Sequence, residues 1–261
     1  LMLLSKTDKF PNGLANSSGH LGKYLMTHIR PAVFVGFDDR ALNVYMGPNA
    51  QKHSIDDFNA DNFDHKDLGF IRGAQISIGT PTLQGGPISF SIIPPPPGTP
   101  RWGAAYRDFL AKNYARHGVM VAQTENLPYA DQTLDLDPNV KDMWGLPATR
   151  ITYDFRRPNE MARVEFMYKK MEEIGRAMGA PLVWRAPLPP GAPGAHHEGG
   201  TRMSANPRDG VVRQRRFCKR GSHDGPRGFL PRAAKRERIH LRGLTRAFDG
   251  RESQKLFWHR C

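Results

Sequence analysis

The densest group of chemically able side chains is His196-His197-Glu198, followed at once by Gly199-Gly200-Thr201-Arg202-Met203. Imidazole accepts and returns a proton near neutral pH, so this segment can serve acid–base chemistry. Two successive histidines could also hold a metal ion, but adjacent side chains usually diverge. A second group is the acidic run over residues 56–64. Asp57, Asn59 and Asp61 match the first half of an EF-hand loop. Asn62, however, stands where that loop needs Gly, and Leu68 where it needs a bidentate Glu. A solvated loop with Asx turns accounts for the run better than calcium does. His53 and His65 flank it without metal-site spacing, so no metal centre is expected.

The third group is basic. The 261-residue chain carries a net charge of +13, and residues 213–261 hold 15 Lys/Arg against 4 Asp/Glu. Residues 1–212 are nearly neutral and lack cysteine; Cys218 and Cys261 both lie in the basic segment. Two cysteines without metal-ligand spacing fix no redox compartment. The runs 213–220 and 227–246 could bind phosphate backbones, with Phe217, Phe229, Phe248, Phe257 and Trp258 available to stack on bases. No recognised nucleic-acid module accompanies them. A disordered basic segment with incidental polyanion affinity is the better reading, and nucleic acid is not the expected partner.

The elements that must position these groups belong to a loop-rich mixed protein, with 26 Gly, 22 Pro and 39% apolar residues. Strands are expected over residues 32–37, 75–78, 88–93, 119–123 and 149–155. Their uneven spacing favours an antiparallel or mixed sheet over βαβ units. A helix is expected over residues 102–117, with Ala105, Phe109, Leu110 and Tyr114 at helical spacing. A stronger one covers residues 160–178, where Met161, Val164, Met167, Met171, Ile174 and Met178 form a stripe that reads as core. Asn159 reads as its N-cap and Gly179 as its stop. Gly19 and Gly22 suggest close backbone approach where a loop enters a helix. Proline-rich segments at 94–100 and 187–193 read as stiff surface connections, the second leading directly into His196. The longest apolar runs are too short to span a bilayer. Leu1-Met2-Leu3-Leu4 lacks the basic n-region of a secretory signal, and it begins in mid-pattern, so Leu1 is not expected to be a natural start.

His196 through Met203, continuing to Asn206-Pro207 and Gly210-Val211-Val212, resembles the segment of glucose–methanol–choline (GMC) flavin oxidoreductases that carries the active-site histidine. Counting back from Met203 places that histidine at His196. Asn16-Ser17-Ser18-Gly19-His20-Leu21-Gly22-Lys23-Tyr24-Leu25-Met26-Thr27-His28 is similar to a stretch that lies near the flavin in that family. Asp56-Asp57-Phe58-Asn59-Ala60-Asp61-Asn62-Phe63-Asp64-His65 resembles the branch with gluconate and polyol dehydrogenase flavoproteins. So do Gly98-Thr99-Pro100-Arg101-Trp102-Gly103 and Leu134-Asp135-Leu136-Asp137-Pro138. Ile151-Thr152-Tyr153-Asp154-Phe155 with Asn159-Glu160 resembles the strand and helix that precede the histidine motif.

The resemblance implies an α+β fold: an antiparallel or mixed-sheet substrate domain over residues 32–185 with packed helices. Residues 1–31 and 186–212 would be edges of an FAD-binding domain, and 213–261 an irregular basic tail outside the family. It implies FAD-dependent oxidation of a CH–OH group of a sugar, polyol or related alcohol. His196 would be the catalytic acid/base, His197 and Arg202 would shape the substrate loop, and Gly19, Gly22, Gly199 and Gly200 would border the cofactor. A cytochrome or other electron-acceptor subunit is the implied partner. The periplasmic face of a bacterial inner membrane and the cytoplasm both fit. Three departures stand out. No Gly-x-Gly-x-x-Gly turn occurs, Ser204 replaces the Gly after Met, and the family's closing segment is not found beyond Val212. The sequence therefore reads as a C-terminal fragment not expected to hold FAD alone, and the shift after Val212 suggests a reading-frame change. The alternative is a non-catalytic polyanion-binding protein acting through its tail.

Overall fold

The computed structural model describes residues 1–42, 53–79, 94–188 and 196–213. The expected strand at 88–93 and nearly all of the basic tail lie outside these residues. The centre is an antiparallel five-stranded sheet in the order β2-β3-β4-β1-β7. Its strands are β1 (Ala32–Gly36), β2 (His53–Ile55), β3 (Ala74–Gly79), β4 (His117–Thr124) and β7 (Leu182–Arg185). The helices are interspersed with the strands along the chain, and the central sheet is wholly antiparallel, compatible with an α+β protein.

Alternation along the strands explains how two helices are accommodated. Val33 and Val35 of β1 share a face with Ile76, Ile78, Met120 and Ala122, whereas Phe34 points to the other side with Val119 and Trp184. Helix α2 (Pro158–Ala177) lays Val164, Met167, Met171 and Ile174 on the first face, where all four are buried. Each such side chain contributes roughly 1.5–3 kcal/mol of burial. The methionine stripe is core, as its spacing predicts. On the second face, helix α1 (Ala104–Asn113) supplies Phe109 and Leu110 against Phe34 and Trp184, which stack with centroids 5.2 Å apart. The Trp184 indole N–H donates to the Pro94 carbonyl at 2.8 Å, so the first proline-rich segment is tied to the sheet.

The remaining strands are outside this sheet. β5 (Thr133–Lys141) and β6 (Pro147–Thr152) form a two-stranded hairpin whose tip leaves Met143 and Trp144 exposed. β8 (Met203–Ser204) and β9 (Val212–Arg213) form a short parallel pair. Among the described residues, no helix is long and apolar enough to cross a membrane.

Four expectations need correcting. No helix follows Gly22; the chain there runs through turns and isolated bridges to Thr133 and Glu198. Helix α1 ends at Asn113, and His117 begins β4 instead. The strand expected at 149–155 stops at Thr152. The N-cap of α2 is Arg157 with Pro158 opening the helix. Proline suits that first position because its missing N–H would be unbonded there anyway. Asn159 lies inside the first turn, where its Oδ1 accepts the Ile71 N–H at 2.9 Å.

Candidate active site

Residues 18–29 and 196–210 form one strap along the end of β4. Met26 and Glu198 exchange both backbone hydrogen bonds at 2.9 Å, Gly22 N–H donates to the Gly200 carbonyl at 2.7 Å, and Gly200 N–H to the Lys23 carbonyl at 3.0 Å. The Ser18 hydroxyl adds a bond to the Gly210 carbonyl at 2.7 Å. One glycine makes this closeness possible, and a second lets the strap approach β5. A Cβ on Gly199 would stand 1.9 Å from the Tyr24 carbonyl oxygen, and one on Gly22 would stand 2.1 Å from that of Leu134. Gly19 and Gly200 also have left-handed backbones but meet nothing within 4 Å, so their outer sides are open.

His196 sits on this strap, exposed and with φ of 59°, a left-handed conformation uncommon for a residue with a side chain. Its ring is held from two directions. The Gln123 side chain, from β4, places its amide nitrogen 3.0 Å from His196 Nδ1. His28 meets it edge to face, with centroids 5.4 Å apart and planes at 88°. His28 is bolted to the last residue of β4: its Nδ1–H donates to the Thr124 carbonyl at 2.5 Å, and Ile29 N–H donates to Thr124 Oγ1 at 3.0 Å. The other nitrogen of His28, Nε2, lies 3.9 Å from the Glu198 carboxylate.

Behind these groups is a buried polar cluster. Asn126 gives its amide N–H to the carbonyl of Thr27 and to the Tyr153 hydroxyl, and receives an Arg163 N–H at 3.1 Å. Arg163 is fully buried and pairs with Glu160 at 3.7 Å one helical turn away. Glu160 also accepts the Tyr129 hydroxyl at 2.8 Å. Burial pulls the Arg163 guanidinium below its ordinary value, opposed by Glu160, and pushes the Tyr129 phenol up to about 12. Helix α2 thus contributes polar anchoring to the site as well as core.

The remaining expected residues are nearby. His197 is exposed next to His196. The Arg202 guanidinium lies 4.9 Å over the Tyr24 ring, whose other neighbour is His20, stacked at 5.5 Å. An open cleft of about 350 Å³ passes Gly19 and is lined also by Leu3, Lys6, Asn16 and Asp135, away from His196. The chemistry follows the imidazoles, where His196 and His28 meet on the strap. Gln123 is a site residue that reasoning from the sequence passes over, and His28 and Glu198 stand in the segments that carry the resemblance without being given a role. Among the described residues no group of three or more His, Cys, Asp or Glu could hold a metal ion. In the acidic run, Asp56 instead accepts Gln75 and Asn62 side-chain N–H groups.

An exposed imidazole held beside a second one, with a carboxylate 3.9 Å from the second, is a proton-handling arrangement. Comparison with known proteins gives three relatives. The chain is similar to the gluconate 2-dehydrogenase flavoprotein of Pantoea cypripedii, with 32% identity over 242 residues, covering 90% of this chain and 38% of that protein. It is 30% identical over 217 residues to the 2-methyl-1,2-propanediol dehydrogenase of Mycolicibacterium austroafricanum, covering 81% of this chain and 37% of that one. It is 29% identical over 222 residues to the fructose dehydrogenase large subunit of Gluconobacter japonicus, covering 81% of this chain and 36% of that one. All three relatives are dehydrogenases named for substrates that carry alcohol groups. The chain spans a little under two fifths of their length. At 90% coverage, the first match must run past Val212 into the basic segment. No family model matches the chain.

Proposed function

We propose that this chain is the substrate-domain and histidine-bearing part of a GMC-type, FAD-dependent dehydrogenase that oxidises a CH–OH group of a sugar or polyol. One observation carries the reading: His196, the residue the motif singles out, is held at a left-handed turn by Gln123 and His28 on a glycine-flanked strap. The three relatives support the substrate class.

The strap suits the reacting end of a flavin. His196, His197 and Glu198 are exposed, and Gly19 and Gly200 leave the backbone open to a flat ring. Gly199 would act one layer behind, by letting the two backbones of the strap close, and Gly22 by letting the strap approach β5. No residues here match the glycine turn that receives a dinucleotide's pyrophosphate, so this chain would border the ring and another part would hold the phosphates. The flavin, when bound, supplies the acceptor for the hydride leaving the alcohol carbon. The chain's own part is to hold the alcohol oxygen against His196, move the hydroxyl proton, and fix that imidazole from behind. Arg202, stacked on Tyr24, would shape the substrate loop beside His197. An electron-acceptor subunit such as a cytochrome would take the electrons onward; one relative is itself named as a subunit.

The test is complementation. The full chain is produced together with the part of the Pantoea cypripedii flavoprotein that lies outside the match. Dye reduction is then followed with gluconate, fructose and diols. Substrate-dependent reduction that disappears in His196→Ala is expected; reduction that is unchanged in His196→Ala overturns the reading.

A further inference from the structure

His196 meets the central sheet through Gln123, and the sheet face on which Gln123 stands changes character along its strands. Toward one end of that face, Phe34, Val119 and Trp184 are buried against Phe109 and Leu110 of α1. Toward the other end, beside His196, the same face carries amides. Gln75 of β3 stands directly opposite Gln123 of β4. Ser77, two residues on and therefore on the same face, has Ser54 of β2 opposite it. The two amides are tied at opposite ends. Gln123 places its nitrogen 3.0 Å from His196 Nδ1, and Gln75 donates to the Asp56 carboxylate at 3.1 Å. Neither amide side chain has another hydrogen-bond partner among the described residues, so both amide oxygens are left to accept. The result is a polar row, Asp56–Gln75–Gln123–His196, in which the two opposed glutamines have Cβ atoms about 5 Å apart.

We propose that this row determines substrate specificity: it binds the hydroxyls of a sugar or polyol beyond the one that is oxidised. The proposal rests on the dehydrogenase reading above and leaves the acid–base step to His196. With the reacting hydroxyl at His196, the remaining hydroxyls run over Gln123 and Gln75 toward Asp56. Every hydroxyl is a donor, and the row offers acceptors to match: two amide oxygens and a carboxylate. A chain of several hydroxylated carbons spans the step between neighbouring strands, about 4.8 Å. A substrate with only two hydroxyls ends before Gln75. The longer substrate therefore gains hydrogen bonds that a small diol cannot make. These contacts lie away from the reacting carbon and are equal in the ground and transition states, so they act on KM and not on kcat.

The test uses the complemented enzyme, assayed with 2-methyl-1,2-propanediol and with the better of gluconate and fructose. Wild type should show the higher kcat/KM for the longer substrate. Gln75→Met keeps an unbranched side chain but removes both hydrogen-bonding groups. It should lower that preference roughly 5- to 10-fold, through a raised KM for the longer substrate. Asp56→Ala, in an exposed loop, should lower the preference in the same direction. It carries the test if the urea melt shows that Gln75→Met does not fold. A preference that stays within about twofold of wild type in both variants, or a fall carried by kcat, overturns the proposal and leaves the dehydrogenase reading standing. So does a wild type that prefers the diol. A complemented wild type with no substrate-dependent dye reduction overturns that reading and the proposal with it.

Discussion

Gly199→Ala is the sharpest perturbation of the strap. Two costs can be worked out for it. The backbone there is left-handed, at φ 87°, and an added side chain strains it by roughly 1–2 kcal/mol. The new Cβ would also fall 1.9 Å from the Tyr24 carbonyl oxygen, which is backbone and cannot swing aside. One or two of the four backbone bonds around it must open, from Met26, Glu198, Gly22 or Gly200, at about 1 kcal/mol each. The sum of about 2–4 kcal/mol corresponds to roughly a 30- to 700-fold loss of hydrogen-exchange protection at those four amides. Amides of β1 and β4 should keep theirs, because the core does not use the strap. Gly200→Ala is the control: it has φ of 71° but open space, so only the conformational cost applies. Equal effects of the two substitutions would refute the argument that backbone contact, not backbone angle, dictates glycine at 199.

Other perturbations follow from the buried groups. Arg163→Met leaves Glu160 buried without its cation and should cost about 3–5 kcal/mol in urea unfolding, whereas the double variant with Glu160→Met should recover most of that loss. Burial holds His117 near 4, below its ordinary 6.5, so the unfolded chain takes up that proton first as pH falls. Its contribution is present above pH 6.5 and lost toward pH 4: about 2 kcal/mol should separate pH 7 from pH 4.5 in wild type but not in His117→Gln. Equal losses in the two proteins would show that carboxylates alone set the acid limit. Removing residues 214–261 should abolish low-salt retention on heparin, since nearly all the excess charge lies there.

What could be read from the sequence was whatever depends on local periodicity. The stripe from Met161 to Met178 announced α2, and β-branched runs announced β1, β3 and β4. β7 was hidden because Leu182-Val183-Trp184-Arg185 is short and lies between Pro181 and Pro187, where proline suggests a connection. β5 was hidden because Asp135, Asp137 and Pro138 make it look like a turn; it is a hairpin strand outside the central sheet, where proline is tolerated. The N-cap was misplaced because Asn159 has the right chemistry but Pro158 has the stronger claim on the first helical position.

The site divides along the same line. His196 and its glycines are one contiguous motif, so a resemblance can find them. His28 has no such signature: its partners are a carbonyl 96 residues away and a carboxylate on the far strand of the strap. Nothing in Met26-Thr27-His28-Ile29 by itself marks a residue that meets His196. What distinguishes it is that β4 ends at Thr124 where residues 27–29 pass, and that Asn126, held by Arg163 of α2, grips the Thr27 carbonyl there. The buried Arg163–Glu160 pair is costly to keep in a core. Its position ties α2 to Asn126, which holds the Thr27 carbonyl next to His28. Arg163→Met should therefore loosen the His28–Thr124 bond as well as the fold, read as a changed nitrogen-15 shift of His28 Nδ1.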